Sequence, residues 1–245
     1  DPDYAATAYV SAYGGDQYAE SDGRNAADLQ NDGSITATAS AYATGGTQAA
    51  ATAYVFGFQQ KGGGSASTLT LSNSGAISAT GFAGAYATAG TATELIRVRG
   101  VVQDALASGQ NNADVFNDGS ISATATGLAT ARDKVVLVGY VNGVGQGSAG
   151  GASILTVTNS GEITATGELL ASASLGTAFA SIDGDGIFQG NNADSAALSV
   201  TNSGNISAIV SAEAESDMAE AKAQANVAGV WQRANSSSGS ISLMN

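Results

Sequence analysis

Apolar and polar residues alternate over long stretches of the chain. Ile35, Ala37, Ala39, Ala41 and Ala43 interleave with Ser34, Thr36, Thr38, Ser40 and Tyr42. The same alternation returns as Ile77, Ala79, Gly81, Ala83, Ala85 and Ala87 against Ser78, Thr80, Phe82, Gly84 and Tyr86. Ala49, Ala51, Ala53 and Val55 lead in the same way to Gly57. A period of two puts every second side chain on one face, so these stretches predict β-strands with one buried face. Shorter runs such as Leu69-Thr70-Leu71, Leu155-Thr156-Val157 and Leu198-Ser199-Val200 predict a third, brief strand. The segment 211–226 is rich in Ala, Glu, Lys and Gln, which favour helix. Its alanines keep to alternate positions, with Ala219, Ala221, Ala223, Ala225 and Val227 leading to Gly229, so strand is expected here too.

The strand pattern recurs with a fixed period. Gln17, Gln60, Gln103, Gln146, Gln189 and Gln232 are spaced 43 residues apart, and each follows a glycine by three residues. A second motif, N-x-G-x-I, opens at Asn31, Asn73, Asn117, Asn159 and Asn202. Its spacings of 42, 44, 42 and 43 show length being exchanged between two connections while the whole period is kept. The chain is therefore one repeat array over residues 1–245, with repeat boundaries near the six glutamines. Three strands per repeat, separated by corners, predict an all-β fold: a parallel β-solenoid (β-helix) of about six 43-residue rungs with an Ala-rich, thin core. Two shorter rungs per repeat is the alternative geometry. At the corners, Asn is expected to tolerate left-handed backbone and the following Gly to take a positive φ. The stacked Asn and Gln amides are expected to hydrogen-bond from rung to rung. The chain reads as a segment of something longer.

The N-[SD]-G-x-I motif followed by alternating Ala, Thr and Ser resembles the repeats of bacterial surface β-solenoids, namely autotransporter passengers and large repeat adhesins. The resemblance covers essentially the whole chain. It implies an extracellular or cell-surface location and a role as stalk, filament or adhesin body. Self-association by rung stacking, head to tail or laterally, is the expected partnership, and a glycan- or ice-binding module on the same scaffold is the alternative. The translocation barrel of that family is not in this sequence.

Composition narrows the chemistry. The net charge is −13 with only eight Lys and Arg, so nucleic acid is not an expected partner. The chain has no Cys and no His, which removes thiol nucleophiles, disulfides and the usual general base. No run of 18 apolar residues exists, so no membrane insertion by a helix is expected. The carboxylates are dispersed, and Glu94 is the one acid whose parity turns it inward within a limb. No enzyme activity and no cofactor are expected. Asp183 and Asp185 form a weak calcium candidate at the outward end of a strand. The N-N-A-D sequences at Asn111 and Asn191 are out of phase and are expected to mark loops. Outward pairs such as Thr36/Thr38, Ser78/Thr80, Ser122/Thr124 and Thr164/Thr166 form a T-x-T array of the kind seen on ice-binding faces, which the β-propensity of Thr also explains. Tyr9, Tyr13, Tyr54, Phe56 and Tyr140 fall outward on one limb and form a possible contact surface for sister chains or sugars. Arg97 and Arg99 solubilise this limb or pair across an interface.

Overall fold

The computed structural model describes residues 4–245; Pro2, the single proline, lies outside them. In chain order the strands are β1 (Ala5–Ala19), β2 (Arg24–Asn31), β3 (Ser34–Gly45), β4 (Gln48–Gly62), β5 (Ala66–Asn73), β6 (Ala76–Ala87), β7 (Thr91–Ala105) and β8 (Gln110–Asn117). They continue as β9 (Ser120–Ala131), β10 (Lys134–Asn159), β11 (Glu162–Ala173), β12 (Thr177–Asn202), β13 (Asn205–Ser216), β14 (Ala221–Ala234) and β15 (Ser238–Met244). The fold is all-β, with no helix among the described residues. Every strand pairing is parallel and joins residues 42 to 44 apart, as in Gln60 with Gln103, Ile121 with Ile163 and Ala76 with Ser120. This parallel arrangement is compatible with a solenoid.

Two sheets result. The strands that follow each N-x-G corner form a five-stranded sheet in the order β13-β11-β9-β6-β3. The others form a ten-stranded sheet in which β10 and β12 run unbroken through both the long limb and the short strand. The sheets face each other across a layer that is mostly alanine, including Ala51, Ala53, Ala83, Ala85, Ala129 and Ala171. Larger groups enter this layer at Ile96, Leu137, Leu169 and Ile182, so bulk is not confined to the corners as the sequence pattern implied. Where they enter, the facing strand is glycine. A Cβ on Gly81 would lie 2.6 Å from a Val98 methyl, and one on Gly139 would lie 3.1 Å from Leu169. Large is matched by small across the layer, which keeps the spacing nearly constant at native density.

Three expectations need correction. The segment 211–226 is strand as expected, but it is divided between two strands on different sheets, joined by a bend at Asp217–Ala219. Ser216 Oγ accepts the Ala219 N–H at 3.0 Å and donates to the Gly176 carbonyl at 2.7 Å, which closes that bend. The N-x-G corners contain no left-handed backbone: among the described residues no non-glycine residue has a positive φ, and the only glycines that do are Gly64, Gly90 and Gly150 at other corners. Gly75, Gly119, Gly161 and Gly204 are instead required by contact, because a Cβ on each would collide with the backbone of the equivalent corner one repeat earlier. Finally, Asn111 and Asn191 lie within β8 and β12 and are buried, not in loops.

The layer is incompletely covered at one end. Ala221, Ala223, Ala225 and Val227 on the inner face of β14 are exposed, because β13 is the last strand of the facing sheet.

One ionisable group sits inside the layer. Glu94 on β7 is 1% exposed and lies in register between Ala51 and Leu137, with Gly127 opposite leaving room for its carboxyl. Neither carboxyl oxygen has a hydrogen-bond partner. Burial pushes its pKa up to about 9, and the Leu128 main chain, near but outside hydrogen-bond geometry, pulls weakly the other way. The group is therefore neutral when folded and ionised when unfolded between its ordinary value of 4.5 and about 9. The unfolded state binds fewer protons in that window, so the stability Glu94 leaves intact below pH 4.5 is lost as pH rises toward 9. The Glu94→Gln variant removes this dependence. Urea titrations from about pH 5 to about pH 8 should show the parent losing stability relative to Glu94→Gln, by at most about 1.4 kcal/mol per pH unit. Parallel pH profiles for the two proteins would contradict a buried, neutral Glu94.

Candidate functional site

Two columns of side-chain amides run through the stack. In the first, each glutamine donates to the glutamine one repeat earlier: Gln60 Nε2 to Gln17 Oε1 at 2.9 Å, Gln103 to Gln60 at 2.7 Å and Gln146 to Gln103 at 2.8 Å. Gln189 to Gln146 and Gln232 to Gln189, both 2.7 Å, complete the column. The remaining N–H clips the long limb to the short strand of the same repeat, as in Gln60 to the Thr70 carbonyl at 2.9 Å and Gln103 to the Asp114 carbonyl at 3.0 Å. In the second column the direction is reversed. Asn31, Asn73, Asn117 and Asn159 each donate through Nδ2 to the asparagine one repeat later at 2.7 Å, and Asn202 donates to Asn245 at 2.6 Å. The second Nδ2 proton lies near carbonyls of the corner and of the next repeat, such as Ala76 O, 3.2 Å from Asn31.

The two motifs interlock through packing. A Cβ on Gly57, Gly100 or Gly143 would lie 2.8, 2.6 or 2.5 Å from the methyl of Ile77, Ile121 or Ile163, the isoleucine of the N-x-G-x-I motif. The glycine of one ladder is thus the seat for the isoleucine of the other. Those isoleucines, with Leu71, Val101, Val144 and Ile187, form a second core in the thicker part of the section.

A third set of amides escaped the sequence pattern. Asn25 and Asn111 occupy one column, two periods apart, with Ser67 between them and Ser153 following. Asn111 accepts the Ala107 N–H at 2.7 Å and donates to the Ala107 and Ala149 carbonyls, while Asn191 donates to Ser148 Oγ at 2.8 Å. The signal was an 86-residue spacing, twice the period, which a search at 43 residues passes over.

On the outer surface the long limb and the head of each repeat meet at a re-entrant bend, marked by Gly100, Gly143 and Gly186. Outward groups on both sides of it face a common cavity of about 330 Å³. Arg97, Arg99, Tyr140 and Asn142 form one wall with Asp183 and Asp185, and Phe188 and Trp231 form the other. Of the contact residues suggested by sequence, Tyr13, Tyr54, Phe56 and Tyr140 fall in two adjoining columns of this limb, and Tyr9 lies in the next column, in register with Thr52. Tyr54, Arg97, Tyr140 and Asp183 are register neighbours, as are Tyr13, Phe56, Arg99, Asn142 and Asp185. Tyr13 stacks on Phe56 at 5.2 Å, Tyr9 meets Tyr54 edge-on at 5.7 Å, and the Arg97 guanidinium lies 5.6 and 5.2 Å from the Tyr54 and Tyr140 rings. Phe188 and Trp231, which meet at 5.4 Å, were not foreseen; each stands one residue before a phased glutamine.

The charges in the groove are unequal in their partners. Asn142 donates to Asp185 at 3.1 Å and Asn226 to Asp183 at 2.7 Å. Burial first, then the Asp183 charge, pushes the Asp185 carboxyl up to about 6, against the pull of Asn142 and Arg99. No cluster of three acidic, His or Cys side chains that could hold a metal occurs among the described residues, and Asp183 and Asp185 bring no third acid to a calcium ion. Arg97 and Arg99 make no hydrogen bond or ion pair among the described residues, and the Nε of each is buried without a partner. Burial pulls the Arg99 guanidinium down, and the neighbouring Arg97 charge adds to this.

On the opposite sheet the T-x-T positions do stack in register, as Thr38, Thr80, Thr124 and Thr166. Exposed Ile209 ends that column, and exposed Glu162 and Glu168 flank it, so the face is not a uniform hydroxyl lattice.

The ladders make a direct prediction. Gln103→Leu and Asn117→Leu should each destabilise the fold by about 1–3 kcal/mol, because each leaves buried amide partners unsatisfied on both sides. Thr124→Leu, outward on β9, should change stability by less than about 0.5 kcal/mol. Chemical denaturation decides it, and equal effects at all three sites would remove the ladders from the account. No protein-family model matches the chain, and no curated protein or solved structure shows significant similarity to it.

Proposed function

We propose that the chain is a non-enzymatic structural segment of an extracellular or cell-surface β-solenoid, built of about six 43-residue rungs and serving as a stalk, filament or adhesin body. The supporting observation is the apolar face exposed on β14 and β15. Ala221, Ala223, Ala225 and Val227 are exposed on β14, and Ile241 and Leu243 are exposed on β15. The equivalent positions one repeat earlier, Ala178, Ala180, Ile182, Leu198 and Val200, are buried. An open parallel edge with an apolar face is a template for another chain of the same kind. The ladders fix the sense of the addition. The last glutamine presents its Oε1 and the first its remaining amide proton, the other being donated to the Asp28 carbonyl, while the asparagines run the other way. One end of a copy therefore complements the opposite end of another, and like ends do not match. A heterologous contact of this type propagates head to tail.

A second reading, a glycan-binding module carried on the same scaffold, is supported by the outer groove with its aromatic wall and its clustered polar groups.

Sedimentation and electron microscopy of the 245-residue chain separate the two. Concentration-dependent assembly into filaments is expected, abolished by Val227→Asp together with Leu243→Asp on the open face. A monodisperse monomer at high concentration would reject the self-stacking reading and leave the module reading in place.

A further inference from the structure

We propose that the groove at the re-entrant bend binds a saccharide bearing a carboxylate, with Arg97 and Arg99 holding the carboxylate and Tyr140, Phe188 and Trp231 packing on the sugar rings. This rests on the second reading above and names its ligand class.

The starting point is an imbalance. Two guanidinium groups stand two residues apart on one face of β7, both partly buried, both without a protein acceptor. Their Nε atoms are desolvated and the Arg97 charge disfavours that of Arg99, while the Asp104 and Asp185 carboxyls offset this through space without forming an ion pair. Desolvated like charges are unfavourable unless an anion completes them, and a carboxylate matches the guanidinium fork in planarity and charge. Arg97 is held between Tyr54 and Tyr140, so its plane is already oriented and little rotamer entropy remains to be lost on binding. Arg99 lies over Gly145, where the absence of a side chain leaves its path open.

The acids of the groove restrict where a negative group can sit. Asp183 and Asp185 lie two strands further along the stack, about 10 Å away at normal strand spacing. Both already accept an amide proton from asparagine. They repel a second anion but still offer lone pairs to hydroxyl groups, as the Asn142 side chain does. The groove therefore presents cations at one end, hydroxyl acceptors at the other and aromatic faces beside both. A densely charged polyanion fits this poorly. An oligosaccharide with one carboxylate and several hydroxyls fits it well. The cavity of about 330 Å³ is at the lower end of small-ligand sites, enough for one or two sugar rings.

Trp231 is the only tryptophan of the chain and lines the groove, so its fluorescence reports occupancy directly. The intact chain is titrated with 3′-sialyllactose, with a glucuronate-terminated tetrasaccharide, and with lactose as the neutral probe. A saturable shift in Trp231 emission is expected with at least one acidic probe, and binding at least about tenfold weaker with lactose. Arg99→Gln and Arg97→Gln should each weaken the acidic probe by about tenfold or more while leaving any lactose affinity unchanged. The exposed Arg132→Gln variant, which removes an equal charge elsewhere, should bind as the parent does. Circular dichroism of each variant separates lost binding from lost folding, and Arg99→Lys, which keeps the charge without the fork, should recover only part of the affinity. Equal affinity for lactose and the acidic probes would overturn the carboxylate assignment and leave a neutral-glycan site. No saturation with any probe by about 10 mM would overturn both the assignment and the glycan reading.

Discussion

Each buried amide of the two phased columns has to find its acceptor in one neighbouring repeat and its donor in the other. That requirement ties together most of what is distinctive in the chain. An amide at Gln103 that is completely buried loses about as much by missing its partner as a core residue loses by truncation. The period is therefore held at 43 residues along the glutamine column, even where the two connections between corners differ in length by a residue. The short and long corners alternate, giving pairing offsets of 42 and 44 in the five-stranded sheet, and the sum is restored before the next glutamine. The seating of each motif isoleucine on a glycine adds a steric lock to the same register. A one-residue slip would turn the alanine layer outward, unpair both ladders and drive isoleucine into backbone.

The thinness of the alanine layer has its own logic. Alanine loses no side-chain entropy on burial, so a core of this type needs little compensation for ordering, but each residue also buries little area. Stability must then come from repetition and from backbone pairing carried by nearly every residue. Bulk at Val98 and Leu169 is accommodated by glycine at the facing position, as at Gly81 and Gly139. Glu94 is the one departure in chemistry, a carboxyl kept in the layer by the space at Gly127 and kept neutral by its surroundings.

Much of this was legible in the sequence, for a physical reason. Strands buried on one face must alternate, and parallel stacking of equivalents turns a spatial contact into a constant spacing, so the strands, their faces and both principal ladders could be read directly from the residues. What escaped was either out of phase or conditional on shape. Asn111 matches Asn25 only at two periods, because Ser67 occupies the position between them. The corner at Asp217 is hidden because alternating alanines resume directly after it, although their parity shifts from Ala212 and Ala214 to Ala219, Ala221 and Ala223. The corner glycines were attributed to backbone freedom, when the cause is the approach of the preceding corner. Phe188 and Trp231 belong to the same groove as Arg97 only because the sheet folds back at the glycine bend, and no linear pattern records that fold.

The opposed direction of the two amide columns has an electrostatic consequence. Amide dipoles aligned head to tail add, as peptide dipoles do along a helix, and a single column would build a moment that grows with every repeat. With glutamines oriented one way and asparagines the other, the two moments largely oppose each other at any length. Adding repeats then accumulates no end-to-end field from these columns, so a parallel stack of such repeats can be lengthened without its ends becoming progressively more polarised.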